Sequence, residues 1–447
     1  MGKYLAYPEY KSTGVEWFTD APAGWGVLTA RRVFKQVRDP ANPDDEQLAA
    51  TQKYGVIPQR LFMEYQDQKV VLALAGTGNF KHVEVNDFVI SLRSFQGGIE
   101  RCHYEGCVSP AYTVMRRDKA IDPAYFSFLL KSEGFITALQ SVTQGIREGK
   151  TITYEQFGSI SVPFPTMGEQ QHIAAFLDHE TAKIDRLIAK QERLIELLKE
   201  KRQAVISHAV TKGLNPDAPM KDTGVEWLGD VPAHWQVKSI KRLTVVKRGA
   251  SPRPIDDQKY FDEKGHYAWV RIADATASGG RLRVTTQRLS HLGASLSVQL
   301  QPGDLFLSIA GTVGLPCITE IPACIHDGFV YFPEWPESRE YLFYIFQAGE
   351  CYKGLGKFGT QLNLNTDTVG FIKIGVPPRA EQDAIVGYIN EKLAKLDGLV
   401  AKAARAVSLL HEHRTALISA AVTGKIDVRD WQQPNNDPQE AAAAASA

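Results

Sequence analysis

Two stretches of the chain carry the heptad pattern of long amphipathic helices. The first covers residues 169–213 and contains no proline, and no glycine before its last residue. Its apolar positions repeat every seven residues, and the members of this grid are Leu177, Ile184, the polar exception Gln191, Leu198 and Val205, with Leu187 and Leu194 at the alternate apolar position. The pattern predicts one helix on the order of 60 Å long, at about 1.5 Å per residue. A helix of this length and periodicity needs a partner helix.

The second stretch supplies that partner, because it repeats the first. Shifting the chain by 212 residues places residues 381–423 on residues 169–211 without a gap, and 20 of 43 positions are identical. A shorter repeat lies ahead of each helix, with TGVEWFTDAPAGW at residues 13–25 and TGVEWLGDVPAHW at residues 223–235. The chain therefore consists of two copies of one unit, each with a short lead-in, a globular stretch and a long helix.

The two globular stretches show the same order of predicted elements. The first has strand patterns at residues 70–76 and 87–94, a helical pattern at 124–140 and a glycine-containing loop at 144–151. The second has strand patterns at residues 266–274 and 303–314, a helical pattern at 341–349 and a loop at 356–365. Asp304 and Ser308 in the second of these strand patterns correspond in position to Asp87 and Ser91 in the first domain. The scaffold segments repeat closely and the stretches between them do not, which favours two domains that recognise different targets.

The repeat predicts the domain organisation. We expect a leader at 1–12, a first globular domain at 13–165, a first long helix at 166–213, a linker at 214–222, a second globular domain at 223–377, a second long helix at 378–426 and a disordered tail at 427–447. A pseudo-two-fold axis makes the helices antiparallel, since the rotation that exchanges them reverses their direction. The expected fold class is α+β, with two mixed α/β domains separated by two long antiparallel coiled-coil helices in a pseudo-two-fold internal repeat. The expected seam packs Leu177, Ile184, Leu187 and Leu194 against Ile389, Leu396, Leu399 and Leu410.

The composition indicates a globular protein but does not indicate its function. The 447 residues are 44% apolar and 23% charged, with a net charge of zero, which is ordinary for globular proteins. The sequence has no run of 18 apolar residues and no apolar signal core at its start, which indicates a cytoplasmic protein without a membrane partner. The five cysteines form no CxxC pair, which favours buried thiols. Charge is uneven locally, because residues 231–255 hold six lysines and arginines and no acidic residue.

Loops at like positions in the two domains concentrate residues suited to DNA contact. Arginine and glutamine pair with base edges in the major groove, whereas lysine, serine, threonine and glycine amides hold phosphates. The candidates in the first domain are Lys81, Arg93, Ser94, Phe95, Gln96, Gly97, Arg101, Arg147 and Lys150. The candidates in the second domain are Lys247, Arg248, Arg253, Arg271, Thr312, Lys357, Thr360, Gln361 and Asn363. A single such arginine is more often a solvated surface residue, so the argument rests on the pairing of the loops.

Motifs of catalysis and cofactor binding lack their required context. The GxGxxG of residues 354–359 follows a helical pattern and opens no helix. The GKT of residues 149–151 resembles a phosphate loop, but Gln144 stands where the first glycine belongs. His411 and His413 correspond to two lysines in the first helix, which marks a solvated helix face. The sequence therefore predicts no catalytic, cofactor-binding or metal site.

Three functions are compatible with these patterns. The favoured one is a non-catalytic subunit that gives DNA sequence specificity. The second is a self-contained methyltransferase or nuclease with disguised motifs, which would bind S-adenosylmethionine or cut DNA on its own. The third is a coiled-coil scaffold without DNA contact, and the basic run at residues 231–255 argues against it.

The chain resembles the specificity subunit of type I restriction-modification systems. The resemblance is carried by the doubled GVEW-x-x-x-x-P-x-x-W lead-in, the doubled proline-rich Glu-Gln segment (PFPTMGEQ and VPPRAEQ) and the doubled long helix, and it covers nearly the whole chain. It implies that residues 20–165 and 230–377 are target recognition domains. Each would read one half of a bipartite site in double-stranded DNA, and the helices would set the unspecified spacer between the halves.

The resemblance also implies the partners. Two modification subunits would dock on the helices and carry S-adenosylmethionine and the adenine methylation chemistry. Restriction subunits that use ATP and Mg, translocate and cleave would join the same host-defence complex. This chain would then be non-catalytic and hold no cofactor.

Overall fold

The computed structural model describes residues 4–51, 53–66, 79–91, 98–142, 152–355 and 364–434. The chain forms two compact units, one made of Met1–Gln191 with Arg405–Ala447 and the other of Glu192–Ala404. Each unit therefore contains one globular domain and a part of both long helices. The predicted strand at 70–76 and loop at 144–151 lie outside the described residues, as does all but the end of the loop at 356–365.

Short strands make up most of the first globular domain. They are β1 (Tyr10–Ser12), β2 (Asp20–Pro22), β3 (Gly26–Thr29), β4 (Phe34–Val37), β5 (Leu48–Thr51), β6 (Gly55–Pro58), β7 (Lys81–Val83), β8 (Phe88–Ile90), β9 (Ile99–Arg101), β10 (Gly106–Val108), β11 (Thr113–Arg117) and β12 (Ser161–Phe164). An antiparallel sheet has the order β4-β11-β8-β9, and antiparallel pairs join β1 to β2, β3 to β12, β5 to β6 and β7 to β10.

The four-stranded sheet is buried on both faces, as the alternation of its side chains requires. Phe88 and Met115 belong to the core that also contains the long helices, whereas Val89 and Val114 belong to a smaller core on the other face. Val114 lies opposite Val89 in the ladder. The strand predicted at 87–94 is thus confirmed as β8 over its described part.

The helices of the first domain are α1 (Gln59–Gln66), α2 (Pro123–Leu130), α3 (Glu133–Ser141) and α4 (Tyr154–Ser159), and they precede the long helix α5 (Met167–Lys212). The single helix predicted at 124–140 is wrong, because α2 and α3 are separate. The hydroxyl of Ser132 accepts the N–H of Phe135 and caps a new helix there, as serine commonly does at this position. Asp122 caps α2 in the same way through the N–H of Tyr125, 2.9 Å away.

The second globular domain has two larger sheets. Its strands are β13 (Met220–Asp222), β14 (Asp230–Pro232), β15 (Gln236–Ser239), β16 (Lys247–Arg248), β17 (Tyr267–Val270), β18 (Arg281–Leu282), β19 (Gln287–Leu289), β20 (Val298–Leu300), β21 (Leu305–Ser308), β22 (Pro316–Thr319), β23 (Ala323–Ile325), β24 (Phe329–Tyr331) and β25 (Lys373–Val376). The sheets have the orders β16-β24-β21-β22-β18 and β19-β17-β23-β20, and smaller pairs join β13 to β14 and β15 to β25.

The helices of the second globular domain are α6 (Ile272–Ala277), α7 (His291–Ser295), α8 (Arg339–Ala348) and α9 (Thr366–Phe371), and they precede the long helix α10 (Arg379–Val422). The predicted strand at 266–274 ends early, because Arg271 starts α6. The helix predicted at 341–349 is confirmed as α8, and it ends at Gly349 in the left-handed conformation with φ 74°, which glycine adopts without strain.

Asp87 and Asp304 occupy matching turns, so the repeat extends into the globular domains. The Asp87 carboxylate accepts the N–H of Glu84 at 2.9 Å, and the Asp304 carboxylate accepts the N–H of Gln301 at 2.7 Å. The residue before each aspartate has a positive φ, 75° at Asn86 and 92° at Gly303. β8 and β21 begin directly after these turns.

The helix seam matches the prediction at one heptad position and differs at the other. Leu177, Ile184 and Leu198 are buried, but Leu187, Leu194 and Leu399 are 42%, 43% and 48% exposed and lie outside the seam. The buried residue after Ile184 is Ile188. The seam advances four residues there, and Leu187 points about 100° away from Ile188, since the helix has about 3.6 residues per turn.

The long helices are antiparallel in each unit. In the first unit, Asp185 of α5 accepts a hydrogen bond from Arg414 of α10 at 2.9 Å, and the start of α5 lies near the end of α10, because Trp25 contacts both Glu169 and Gly424. In the second unit, Arg202 and Asp397 pair at 3.4 Å, and Gly213, just after α5, lies against Glu381 at the start of α10. The predicted antiparallel pairing is confirmed within each unit.

Parts of the expected leader and tail belong to the first unit. β1 falls within the leader, Tyr7 is buried, and the N–H of Asp427 donates to the carbonyl of Leu5 at 2.7 Å. In the tail, Trp431 packs edge-on against Phe176 of α5 with the ring centroids 5.6 Å apart. Residues 427–431 are therefore packed and do not form the disordered segment that the sequence predicts.

Candidate nucleic-acid interface

The first domain is joined to the start of α5 by two adjacent polar residues. The buried Gln170 accepts the N–H of Asp122, the cap of α2, at 2.8 Å and donates to the carbonyl of Pro165 at 2.9 Å. Beside it, the Glu169 carboxylate accepts the indole N–H of Trp25 at 3.1 Å. The Glu-Gln pair and the second tryptophan of the lead-in, which carried the repeat in the sequence, thus meet at one junction.

The second domain has the same junction at the start of α10. The buried Gln382 accepts the N–H of Ser338, the cap of α8, at 3.0 Å and donates to the carbonyl of Pro377 at 2.9 Å. Glu381 accepts the indole N–H of Trp235 at 3.0 Å. Both domains are therefore attached to the helix that follows them by equivalent bonds.

A buried tyrosine attaches each domain to its other long helix as well. Tyr125 of α2 donates to the carbonyl of Val422 at the end of α10, at 3.0 Å. Tyr341 of α8 donates to the carbonyl of Val210 near the end of α5, at 3.1 Å. Carbonyls in the last turn of a helix lack helical partners, so each hydroxyl completes a helix end. Each domain holds the start of one long helix and the end of the other.

The two described candidates in the first domain are engaged within the domain. Lys81 donates to the carbonyl of Tyr112 at 2.6 Å, and burial lowers the pKa of its ammonium. Arg101 donates to the side chain of Asn86 at 2.8 Å through Nε, and burial lowers the pKa of its guanidinium. Lys81 is on the β7–β10 pair and Arg101 is on the four-stranded sheet, in strand β9.

The second domain brings three of its candidate arginines to one turn. Arg248 donates to the backbone carbonyl of Asp327, and Arg253 donates to its carboxylate at 3.0 Å. An open depression of about 340 Å³ lies at this turn, and Arg253, Arg271 and Asp327 are among the residues that line it. Lys247 precedes Arg248 on β16 and is exposed. Arg248, Arg253 and Arg271 therefore form one basic cluster around Asp327, which lies more than 50 positions after them in the chain.

Thr312 lies beside this cluster. Its hydroxyl accepts a hydrogen bond from Thr276 of α6 at 3.3 Å, and α6 begins immediately after Arg271. The loop that carries Thr312 also contacts the turn after β23, because the N–H of Ile309 donates to the carbonyl of Gly328 at 2.8 Å.

The remaining candidates lie outside the described residues. They are Arg93, Ser94, Phe95, Gln96, Gly97, Arg147 and Lys150 in the first domain, and Lys357, Thr360, Gln361 and Asn363 in the second.

Sequence reasoning missed four polar residues around the basic cluster. Ser251, Asp256, His326 and Asp327 line the depression together with Arg253 and Arg271. A signal was present, since the polar triplet His-Asp-Gly at residues 326–328 interrupts two apolar strand patterns. Nothing in the sequence, however, indicates that this turn meets the basic run some 75 residues earlier.

Within the described part of the chain, no three His, Cys, Asp or Glu side chains are grouped as a metal ion would need. Over those same residues, no helix combines the length and apolar character of a membrane span. The five cysteines are free and buried.

Sequence comparison finds similarity to specificity subunits of type I restriction enzymes. The chain is 22% identical over 317 residues to a putative type I restriction enzyme MjaX specificity subunit of Methanocaldococcus jannaschii, and the aligned region makes up 69% of each of the two chains. It is 23% identical over 350 residues to the type I restriction enzyme EcoKI specificity subunit of Escherichia coli, which covers 72% of this chain and 70% of that protein. No family model matches the chain.

Comparison with solved structures supports the same fold. A chain from a structure of type I restriction-modification complex assembly and conformational transition superposes with a TM-score of 0.73 at 18% identity, over 91% of this chain and 99% of that one. The HsdS subunit of Thermoanaerobacter tengcongensis superposes with a TM-score of 0.56 at 17% identity, over 91% and 98%. Together with the doubled junctions and the antiparallel helices, these similarities confirm the resemblance seen in the sequence: the protein is related to the specificity subunits of type I restriction-modification systems and has their fold.

Proposed function

We propose that this protein is the DNA-specificity subunit of a type I restriction-modification complex. Each globular domain recognises one half of a bipartite site, and the paired helices set the length of the spacer. The protein is non-catalytic, and methylation and ATP-dependent cleavage are carried out by partner subunits that hold S-adenosylmethionine, ATP and Mg.

The observation that carries the proposal is the doubled attachment of each domain. The same set of bonds, a buried glutamine, a Trp–Glu pair and a tyrosine at a helix end, occurs in both units. A domain bonded at both sides to a helix pair keeps its orientation on that pair. Such attachment is useful where a recognition surface must be held at a fixed position on the helices.

The helix surfaces support docking of modification subunits. Leu187 of α5 and Leu409 of α10 are exposed in the first unit, and Leu197 and Leu399 are their repeat equivalents in the second. A long helix pair that exposes leucines beyond its own seam offers an apolar surface for a partner helix. The presence of one such pair of leucines in each unit agrees with two modification subunits, one for each unit.

The basic cluster supports DNA recognition by the second domain. Arg248, Arg253 and Arg271 lie around the turn of Asp327, and the depression there also holds Asp256, so three positive charges stand against two carboxylates. Phosphate attraction supplies the sequence-independent part of DNA affinity, and arginine also reads bases. Contact with phosphates and reading of bases are therefore assigned to different residues of the cluster.

The test is selection of bound DNA from a random duplex library by the purified complex of this chain with its modification subunits. The expected result is a motif of two specified parts separated by unspecified bases. The modification subunits alone are the control and should select no such motif. Selection of one uninterrupted motif, or methylation or cleavage by this chain alone, would contradict the proposal.

A further inference from the structure

The turn His326-Asp327-Gly328, here called the HDG turn, is held tightly against the basic cluster. A Cβ on Gly249 would lie 2.1 Å from the His326 carbonyl oxygen, and a Cβ on Gly328 would lie 2.4 Å from the His326 ring. Only glycine permits approaches this close. The N–H of Gly249 also donates to the carbonyl of Phe329 at 2.9 Å. The turn therefore packs directly against the backbone at Gly249.

The ring of His326 accepts a hydrogen bond from its own turn. Its Nδ1 accepts the N–H of Gly328 at 2.8 Å, which is much closer than the 3.7 Å to the carboxylate of Asp327. The ring proton is therefore on Nε2. Burial lowers the pKa of His326, and the charges of Arg271 and Arg248 add to this against the opposing effect of Asp327. The bond from Gly328 holds the turn in place.

Asp327 and Arg253 form an exposed pair of acceptor and donor. The carboxylate accepts the hydroxyl of Ser251 at 3.2 Å and a guanidinium N–H of Arg253 at 3.0 Å. Partial burial raises the pKa of Asp327, but the Ser251 bond and the Arg253 charge outweigh it and lower the pKa. The side chains remain 41% and 74% exposed. Both side chains therefore keep donor and acceptor atoms accessible to a further partner.

The chemistry of this pair matches one base pair in the major groove. Guanine presents two acceptors, N7 and O6, which a guanidinium contacts with two N–H groups, and cytosine presents the N4 amino donor, which a carboxylate accepts. An adjacent arginine and aspartate can therefore contact both bases of a G·C pair. Arg248 and Arg271 lie around the same HDG turn, and arginine there is suited to contact the flanking phosphates.

We propose that Arg253 and Asp327 read one G·C base pair in the half-site of the second domain. Arg253 donates to N7 and O6 of guanine, and Asp327 accepts from N4 of the paired cytosine. Ser251 and His326 are positioning residues, since they hold Asp327 and the turn. This inference rests on the proposed function and adds to it the identity of one base pair and of the side chains that recognise it.

The test compares variants in the complete complex with modification subunits, by mapping methylated adenines and by methylation rates on synthetic duplexes. Arg253→Ala and Asp327→Asn should each relax the motif at the same single position, a G·C pair in one half-site, with discrimination falling on the order of 10- to 100-fold. Arg248→Ala should weaken all sites alike and reduce the salt slope by about 1. Arg283→Ala is the matched control, because Arg283 forms an exposed ion pair with Glu320 outside the depression, and it should leave the motif unchanged.

A chemical probe removes any dependence on protein folding. Replacing that guanine by 7-deazaguanine should slow methylation by the unaltered complex and have no further effect on the Arg253→Ala complex. Relaxation at an A·T position, or uniform loss at every position in both variants, would overturn the inference. If the unaltered complex yields no interrupted motif, the proposed function fails; if it yields one that both variants keep, only this inference fails.

Discussion

Inserting one heptad into each long helix should lengthen the spacer of the recognised site. The seam steps through Ile184, Ile188 and Leu198 in α5, so seven extra residues keep the seam in register, which four or five would not. The insertions belong after Ile195 in α5 and after Ala403 in α10, because the pairs Asp185–Arg414 and Arg202–Asp397 place these positions opposite each other in the antiparallel register. Seven residues add about 10 Å of helix at 1.5 Å each.

That length corresponds to about three base pairs at a rise of 3.4 Å. The assay is mapping of methylated adenines in cells that express the variant with its modification subunits. The expected motif keeps both half-sites and gains about three unspecified base pairs. Seven residues inserted after Asn215, in the linker, are the control and should leave the spacer unchanged. An active double-insertion complex with the original spacer would refute the assignment of the helices as the ruler.

Three further predictions concern stability and assembly. Gln382→Ala removes the bonds to Ser338, Pro377 and Glu337 and should lower the free energy of unfolding by about 2–4 kcal/mol. The loss would be measured by urea unfolding and localised by hydrogen exchange. A loss no larger than that of Gln236→Ala, at an exposed position, would contradict the role of Gln382 in joining the domain to the helix. Burial raises the pKa of Glu100 from 4.5 to about 7 despite its ion pair with Lys131, so the contribution of Glu100 to stability should be fully present below pH 4.5 and be lost as pH rises through 7. Glu100→Gln should flatten this profile, and an unchanged profile would show that Glu100 is not its source. Leu187→Ala should change the free energy of unfolding by less than about 0.5 kcal/mol but weaken binding of the modification subunit in titrations. Ile184→Ala, at a buried position, should lower the free energy of unfolding by about 2–5 kcal/mol. Equal effects of the two variants on stability would contradict the assignment of Leu187 to a docking surface.

The long-range organisation could be predicted from the sequence because it is periodic and repeated. The heptads define the helices, and the 212-residue repeat identifies each as the partner of the other. The seam was the exception, since Leu187 and Ile188 are both apolar and each lies at an allowed step from Ile184. Only the packed structure shows that Ile188 is buried and Leu187 is exposed.

The candidate site could be predicted only in part, for a different reason. Arg248, Arg253 and Arg271 stood out by charge and position, and the structure brings them to one turn. Asp327 did not stand out, because its role depends on a contact with residues about 75 positions earlier in the chain. In the first domain, Arg101 is a basic residue like the others in sequence, but its guanidinium is already bonded to Asn86.

The most direct test of the central claim is exchange of one globular domain. Residues 223–377 would be replaced by the corresponding domain of a relative with a different target, and methylated adenines would be mapped in cells expressing the chimera with its modification subunits. The account predicts an interrupted motif in which one half-site and the spacer are retained and the other half-site is new. A chimera that methylates DNA with both half-sites unchanged would contradict the claim that each domain reads one half of the site.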